Sequence, residues 1–225
     1  MTLSCGCVNA VDESTGVMKC THKCKHHTSY KNNHPAGKDY YERLGVIQDG
    51  IPHCSIHITE LRNGLKAAGV SIPKSCGGTV IEIGGGASMY CPEFLSLGYQ
   101  YLGVEPSAWG SLWTKSVFNV PMYTGSWEEF TVHDKVDLIF SAHCFEHLAD
   151  SPAAIRKAYD SLISGGHLCL VLPDDSDQTN PDHFWFYTPA TLRSLLSTVG
   201  FHEIAISTLK IVQHENFIYC LARKP

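Results

Sequence analysis

The sequence predicts an α/β domain built on a parallel sheet and preceded by a segment rich in Cys and His. Three observations lead there. Thr79 to Ser88, TVIEIGGGAS, runs from β-formers directly into three glycines, as a buried parallel strand does where it meets a ligand turn. A second apolar stretch, Tyr99 to Val104, ends in Glu105, roughly 20 positions after the glycines, where nucleotide-binding α/β domains hold ribose hydroxyls. Strand-like and helix-like runs then alternate through Pro173, the pattern of a parallel sheet with ligands at the carboxyl ends of its strands.

The first fifty residues differ in composition from the rest. Cys5, Cys7, Cys20 and Cys24 lie among His22, His26, His27 and His34, and aliphatic residues are too few for a core. The C-x-C and C-x3-C pairs, twelve residues apart, read as a tetrahedral zinc site on Cys5, Cys7, Cys20 and Cys24, with His22, His26 or His27 as substitutes. Zinc would provide the folding energy this stretch lacks. The same residues also read as a His-rich terminus with reactive thiols, and spacing leaves both open. An iron–sulfur triad is excluded, because His27 stands where a third Cys is needed. Asn32 to Gly50 reads as an ordered linker folding over the ligand site, with Tyr40 and Tyr41 as packing residues.

Pro52 to Gly69 carries apolar residues at helical spacing and predicts an amphipathic helix. His53 and His57, four apart, read as a surface pair. In the first core strand, Gly84, Gly85 and Gly86 let backbone approach a ligand closely. Glu82, inside the strand end, orients the glycine loop or meets a cationic group. Tyr90 to Leu97 and Ser107 to Phe118 predict helices, and Val120 to Tyr123 a short strand. Lys135 to Phe140 is a strand ending at Ser141. A helix begins at Asp150-Ser151-Pro152 and is stopped by Gly165-Gly166, before a strand from His167 to Leu172. Thr188-Pro189 caps a last helix, and His202 to Leu209 and Phe217 to Ala222 are two further strands.

The chain has 225 residues, 44% of them hydrophobic, enough for one sizeable domain with an accessory segment. The expected division is 1–50 for the Cys/His-rich segment and 51–225 for the α/β domain. A net charge of −5 without a basic run gives no general nucleic-acid surface. No stretch is long and apolar enough for a membrane span, and the first residues are not a signal peptide. Among ten cysteines, Cys91, Cys144, Cys169 and Cys220 read as small buried apolar residues, and a cytoplasmic protein is expected. The oligomeric state is not legible.

In this order the motifs resemble those of class I S-adenosylmethionine-dependent methyltransferases of the small-molecule branch, from about Gly77 to Lys224. Glu82-Ile83-Gly84-Gly85-Gly86 resembles the family's E/D-x-G-x-G, and Gly103-Val104-Glu105-Pro106-Ser107 its second-strand acidic motif. Ser141 to Leu148 resembles the H-x-x-E-H-L segment, Leu162 to Leu168 the L-x-x-G-G-x-L turn, and Phe186 through Phe201 the F-x-T-P…GF tail. Ser88 departs from the glycine pattern, and the N-terminal cysteines lie outside the match.

The resemblance implies a Rossmann-like seven-stranded sheet with helices on both faces, the last hairpin being reversed. It implies S-adenosylmethionine held by Glu82, Gly84, Gly85, Gly86, Glu105, Ser126, Trp127, Glu128 and Ser141. Glu105 would accept from both ribose hydroxyls. Trp127 either lies on the adenine or belongs to the core. His143 is a base or a pocket wall, and His183, in a loop roofing the acceptor, is the second catalytic candidate. The absence of an N-P-P-Y segment and of a Pro-Cys pair argues against adenine-N6 and cytosine-C5 acceptors. The expected activity is O- or N-methylation of a small molecule, beneath a lid formed in part by a zinc-stabilised N-terminal segment. A sugar or nucleotide-sugar methyltransferase is the alternative, and a catalytically silent cofactor- or zinc-binding protein the non-enzyme reading. A dinucleotide dehydrogenase fits poorly, since G-x-G-x-x-G is missing.

Overall fold

The computed structural model describes residues 9–11, 18–20, 38–43, 47–48, 51–174, 183–212 and 215–225. The centre is a seven-stranded sheet. Its strands are β5 (Thr79–Ile83), β6 (Gln100–Glu105), β7 (Met122–Thr124), β8 (Val136–Ala142), β9 (Leu162–Pro173), β11 (His202–Val212) and β12 (Glu215–Arg223). The spatial order is β11-β12-β9-β8-β5-β6-β7. β5, β6, β7, β8 and β9 are mutually parallel, whereas β12 runs antiparallel to both β9 and β11. The expected seven strands and reversed final hairpin are therefore present. Strand order changes direction between β5 and β8, and such a switch point opens a crevice at the strand ends.

Side-chain alternation along the strands explains why both faces are covered. Ile81, Ile139, Leu168 and Leu170 join one core cluster, with Ile155 and Ala158 of α5 (Ser151–Ser161) and Leu192, Leu195 and Leu196 of α6 (Pro189–Val199). Their neighbours Val80, Leu138, Phe140 and Cys169 join the other, with Leu61 and Leu65 of α2 (Cys54–Ala67) and Phe94 of α3 (Cys91–Ser96). Cys91, Cys169 and Cys220 are fully buried free thiols, as expected of small apolar residues.

Local chemistry accounts for the helix ends. Ser107 caps α4 (Ala108–Phe118) by accepting from the Gly110 amide at 3.0 Å, and Asp150 caps α5 by accepting from Ala153. Thr188 and Thr191 form a reciprocal capping box on α6, whose end is the left-handed Gly200.

One boundary is corrected. The helix from Ser151 does not run to Gly165-Gly166, but ends at Ser161. Leu162 is already extended, fully buried and paired with Val136, and the glycines lie in a bulge before the register resumes at His167. Lys224 Nζ donates to the carbonyls of Tyr159 and Leu162 at 2.8 Å each, which satisfies the helix end without a glycine stop.

The remaining strands lie outside this sheet. β1 (Asn9–Val11) pairs with β2 (Met18–Cys20), and β2 pairs with β10 (Trp185–Phe186). Residues 18–19 thus meet 185–186 across the expected division at residue 50. β3 (Ile47–Gln48) and β4 (Ile51–Pro52) form a two-stranded ladder after α1 (Lys38–Arg43). Among the described residues no helix is long and apolar enough to cross a membrane.

Candidate functional site

Three strand ends meet at the switch point. At the end of β5 the chain turns through Gly84 (φ 69°) and Gly86 (φ 54°). A Cβ on Gly84 would come within 2.5 Å of the Cys144 sulfur, so only glycine admits both this φ and the neighbouring strand end. The Gly84 amide donates to the Val104 carbonyl at 2.8 Å, which joins the turn to β6.

Glu105 ends β6 and is 6% exposed. One carboxylate oxygen accepts the Gly86 amide at 2.8 Å and the other the Ser107 amide at 2.7 Å. Burial raises its pKa, and these two amides oppose that rise. The side chain therefore fixes the glycine turn to the start of α4. Each oxygen retains a second lone pair for a ligand hydroxyl.

Glu82 is buried beneath the turn and accepts from the Tyr101 hydroxyl, which also meets Ser88 Oγ at 2.7 Å. Burial pushes its carboxyl up to about 8; the tyrosine bond opposes the shift and the nearby Glu105 charge adds to it. Through Tyr101, Glu82 is linked to Ser88 at the end of the loop. Tyr101 and Ser88 carry no sequence signal for this support, since neither belongs to the glycine pattern.

β8 supplies the third side. Ser141 is buried and donates to the Ile83 carbonyl at 2.9 Å, so its hydroxyl holds the two central strands together. His143 adopts φ 51°, while its amide continues the ladder to Val171 at 2.9 Å. Non-glycine residues held in this region concentrate at functional sites. Its ring lies edge-on to Phe217, with 40% of the side chain exposed. Desolvation, then the charges of His147 and His57, lowers its pKa, and contact with solvent moderates the desolvation. A 3-10 turn, Phe145–His147, follows and buries Glu146. Burial raises the Glu146 pKa, with His147 opposing.

The loop after β7 is brought to Glu105 by the Gly125 amide, which donates to the Glu105 carbonyl at 3.0 Å. Ser126 is half-buried and Glu128 exposed. Trp127 differs from a stacking residue. Its ring is 2% exposed, donates to the Ala154 carbonyl at 3.2 Å and is covered by Lys157 Nζ, 4.6 Å from the ring centroid. The indole belongs to the core.

The aromatic roof is also corrected. Trp185, Phe186 and Tyr187 are 1–3% exposed and pack in the core, with Trp185 Nε1 bonded to the Leu148 carbonyl at 2.9 Å. From that stretch, His183 lies beside His147, ring centroids 4.8 Å apart. The Phe184 amide donates to the Glu146 carbonyl at 2.7 Å.

Tyr41 of α1 covers the glycine turn. A Cβ on Gly86 would meet its ring at 3.0 Å, and it stacks on Trp109 at 5.2 Å. The linker thus reaches the site, with Tyr41 as the packing residue expected. Of the predicted zinc ligands, Cys5, Cys7 and Cys24 lie outside the described residues, and Cys20 is the last residue of β2. One surface concavity of about 570 Å³, lined by Glu128, Phe130, Arg156 and Lys157 among others, includes none of the strand-end groups.

Residues 58–205 match the family model described as a methyltransferase domain. The chain belongs to this family. It is a class I S-adenosylmethionine-dependent methyltransferase, with the α/β sheet of that class. Solved structures share the fold. The chain is similar to the Burkholderia thailandensis 1,6-didemethyltoxoflavin-N1-methyltransferase with bound 1,6-didemethyltoxoflavin and S-adenosylhomocysteine (TM-score 0.63, 14% identity, 96% of this chain and 97% of that one). It is also similar to the Haemonchus contortus phosphoethanolamine N-methyltransferase 2 with phosphomonomethylethanolamine and S-adenosylhomocysteine (0.59, 15%, 74% and 52%). A Mesorhizobium loti S-adenosylmethionine-dependent methyltransferase gives 0.57, 15%, 71% and 95%. No curated protein matches by sequence.

Proposed function

We propose that this methyltransferase methylates an oxygen or nitrogen of a small-molecule acceptor at the carboxyl ends of β5, β6 and β8. The carrying observation is the convergence of the glycine turn, the Glu105 carboxylate and the His143 ring at that edge. The donor set suits S-adenosylmethionine. The half-buried turn from Gly84 to Gly86 carries no side chain to block close approach of its methionine part, Glu105 has lone pairs for ribose hydroxyls, and the 125–128 turn is placed toward adenine. When bound, it supplies a methyl group already activated by a sulfonium. The protein's work is then mainly to align the acceptor. His143, partly open to solvent, receives the proton of a hydroxyl acceptor or walls its pocket. Ser141 contributes by holding the adjacent strand end.

The small-molecule reading is supported by the acidic balance of the chain and by the substrates named for two of the neighbours. A zinc ion on Cys5, Cys7, Cys20 and Cys24, steadying a lid, belongs to the same proposal and rests on ligand spacing. Cytoplasmic residence is supported by the free thiols at Cys54, Cys76, Cys91, Cys144, Cys169 and Cys220.

The test is transfer of a labelled methyl group to panels of hydroxyl and amine acceptors, with nucleotide sugars as a separate arm. Product from a small acceptor, reduced at least tenfold in His143→Ala, supports the proposal. Product from nucleotide sugars alone moves it to the sugar class. Cofactor binding without turnover in any arm contradicts it in favour of a silent binding protein.

A further inference from the structure

Both carboxylate oxygens of Glu146 are buried with no hydrogen-bond partner among the described residues, and the side chain is 1% exposed. An isolated carboxylate is costly there. Its surroundings are imidazoles. His147 Nε2 and His143 Nδ1 each lie 3.8 Å from its Oε1, and the His183 ring is 4.8 Å from that of His147 at an interplanar angle of 73°. Glu146, His147 and His183 each present a ligand atom within 4.8 Å of the others. A separation of 3.8 Å is too long for a hydrogen bond. It is close to that of two ligands on one ion with bonds of about 2.0–2.2 Å, which stand about 3–4 Å apart.

We infer that Glu146, His147 and His183 form a binding site for a divalent first-row metal ion beside the end of β8. The backbone is prepared for it. Glu146 and His147 share one 3-10 turn, and the Phe184 amide, next to His183, donates to the Glu146 carbonyl. Two imidazoles and one carboxylate suit zinc, manganese or iron, and leave positions for an outside ligand; magnesium and calcium favour oxygen-only sets. The set contains no thiol, which separates it from the N-terminal cysteines. Its link to catalysis rests on the function proposed above. The turn begins beside Cys144, which packs on Gly84. An acceptor hydroxyl ligating the ion would be acidified, its proton passing to solvent. The acceptor class it favours is therefore an oxygen compound able to coordinate a cation.

The experiment uses the full chain, freed of metal by chelation and titrated with Mn2+, followed by loss of the free-ion electron paramagnetic resonance signal. Mn2+ is chosen because thiolates compete for it poorly. One bound Mn2+ with nitrogen coupling from imidazole is expected. Glu146→Gln and His183→Ala should weaken it at least tenfold, with S-adenosylhomocysteine affinity within threefold of the parent. No uptake by the parent, bound Mn2+ without nitrogen coupling, or unchanged affinity in both variants would overturn the inference. If one variant fails to fold, the Mn2+ affinity of the other decides. A parent that takes up Mn2+ but no S-adenosylhomocysteine would keep the metal site and remove the cofactor assignment.

Discussion

Replacing Glu105 with Ala removes two interactions at once. The carboxylate accepts the Gly86 amide at 2.8 Å and the Ser107 amide at 2.7 Å, and the group is 6% exposed. A hydrogen bond to a charged group contributes about 1.5–3 kcal/mol, and a buried donor left unpaired costs about 1–3 kcal/mol. The free protein should therefore lose about 2–4 kcal/mol of stability, less than the sum because water enters the space. Cofactor affinity should fall separately, since ribose hydroxyls lose a charged acceptor; about 1.5–3 kcal/mol corresponds to roughly 10- to 150-fold. Glu105→Gln separates the two effects. Its amide oxygen still accepts one N–H, but its NH2 group faces the other. The variant should lie between parent and Glu105→Ala in stability while binding S-adenosylhomocysteine poorly. Thermal melts and calorimetric titration read both quantities. Parent-like affinity in Glu105→Gln would remove the ribose role, and a parent-like melt in Glu105→Ala would refute the clasp between glycine turn and helix.

Three further outcomes are expected. Gly84→Ala should abolish S-adenosylhomocysteine binding in calorimetry, since its Cβ meets Cys144 and φ 69° strains any L-residue by about 1–2 kcal/mol; Cys144→Ala should not rescue it, because the Cys144 Cβ itself stands 2.7 Å away. For Glu82 the folded carboxyl keeps its proton to about pH 8, against an ordinary 4.5. Its contribution is fully present below 4.5 and is lost as pH rises to about 8, with an upper bound on the order of 5 kcal/mol. Denaturant unfolding between pH 5 and 8 should show that decline, and Glu82→Gln should flatten it. Arg62→Ala should lower stability by about 1–2 kcal/mol in the same assay, because it leaves the buried Glu93 without its cation, although the exposed arginine limits the effect.

The sheet was legible because β5, β6, β8 and the second half of β9 are largely apolar runs, and because capping residues such as Asp150 and Thr188 have one local role. The glycine turn and Glu105 were legible for the same reason: each does chemistry that few other residues can do there. What escaped the sequence depends on long-range packing. Gly165-Gly166 has the composition of a helix stop, yet Leu162 gains more by burial beside Val136 than by extending the helix. Trp127 and Trp185 follow strand ends in the manner of ligand residues, but each indole finds its carbonyl across the core, at Ala154 and Leu148. Cys144 against Gly84 carries no sequence signal, since the two are sixty residues apart. The gathering of Glu146, His147 and His183 depends on the 145–147 turn and on the bond from Phe184.

The most direct test of the central claim is a crystal structure with S-adenosylhomocysteine. The account predicts the ribose hydroxyls on Glu105, the methionine part over Gly84 to Gly86 and the sulfur facing His143. Ligand bound elsewhere on the chain, or a ribose that does not touch Glu105, would contradict it.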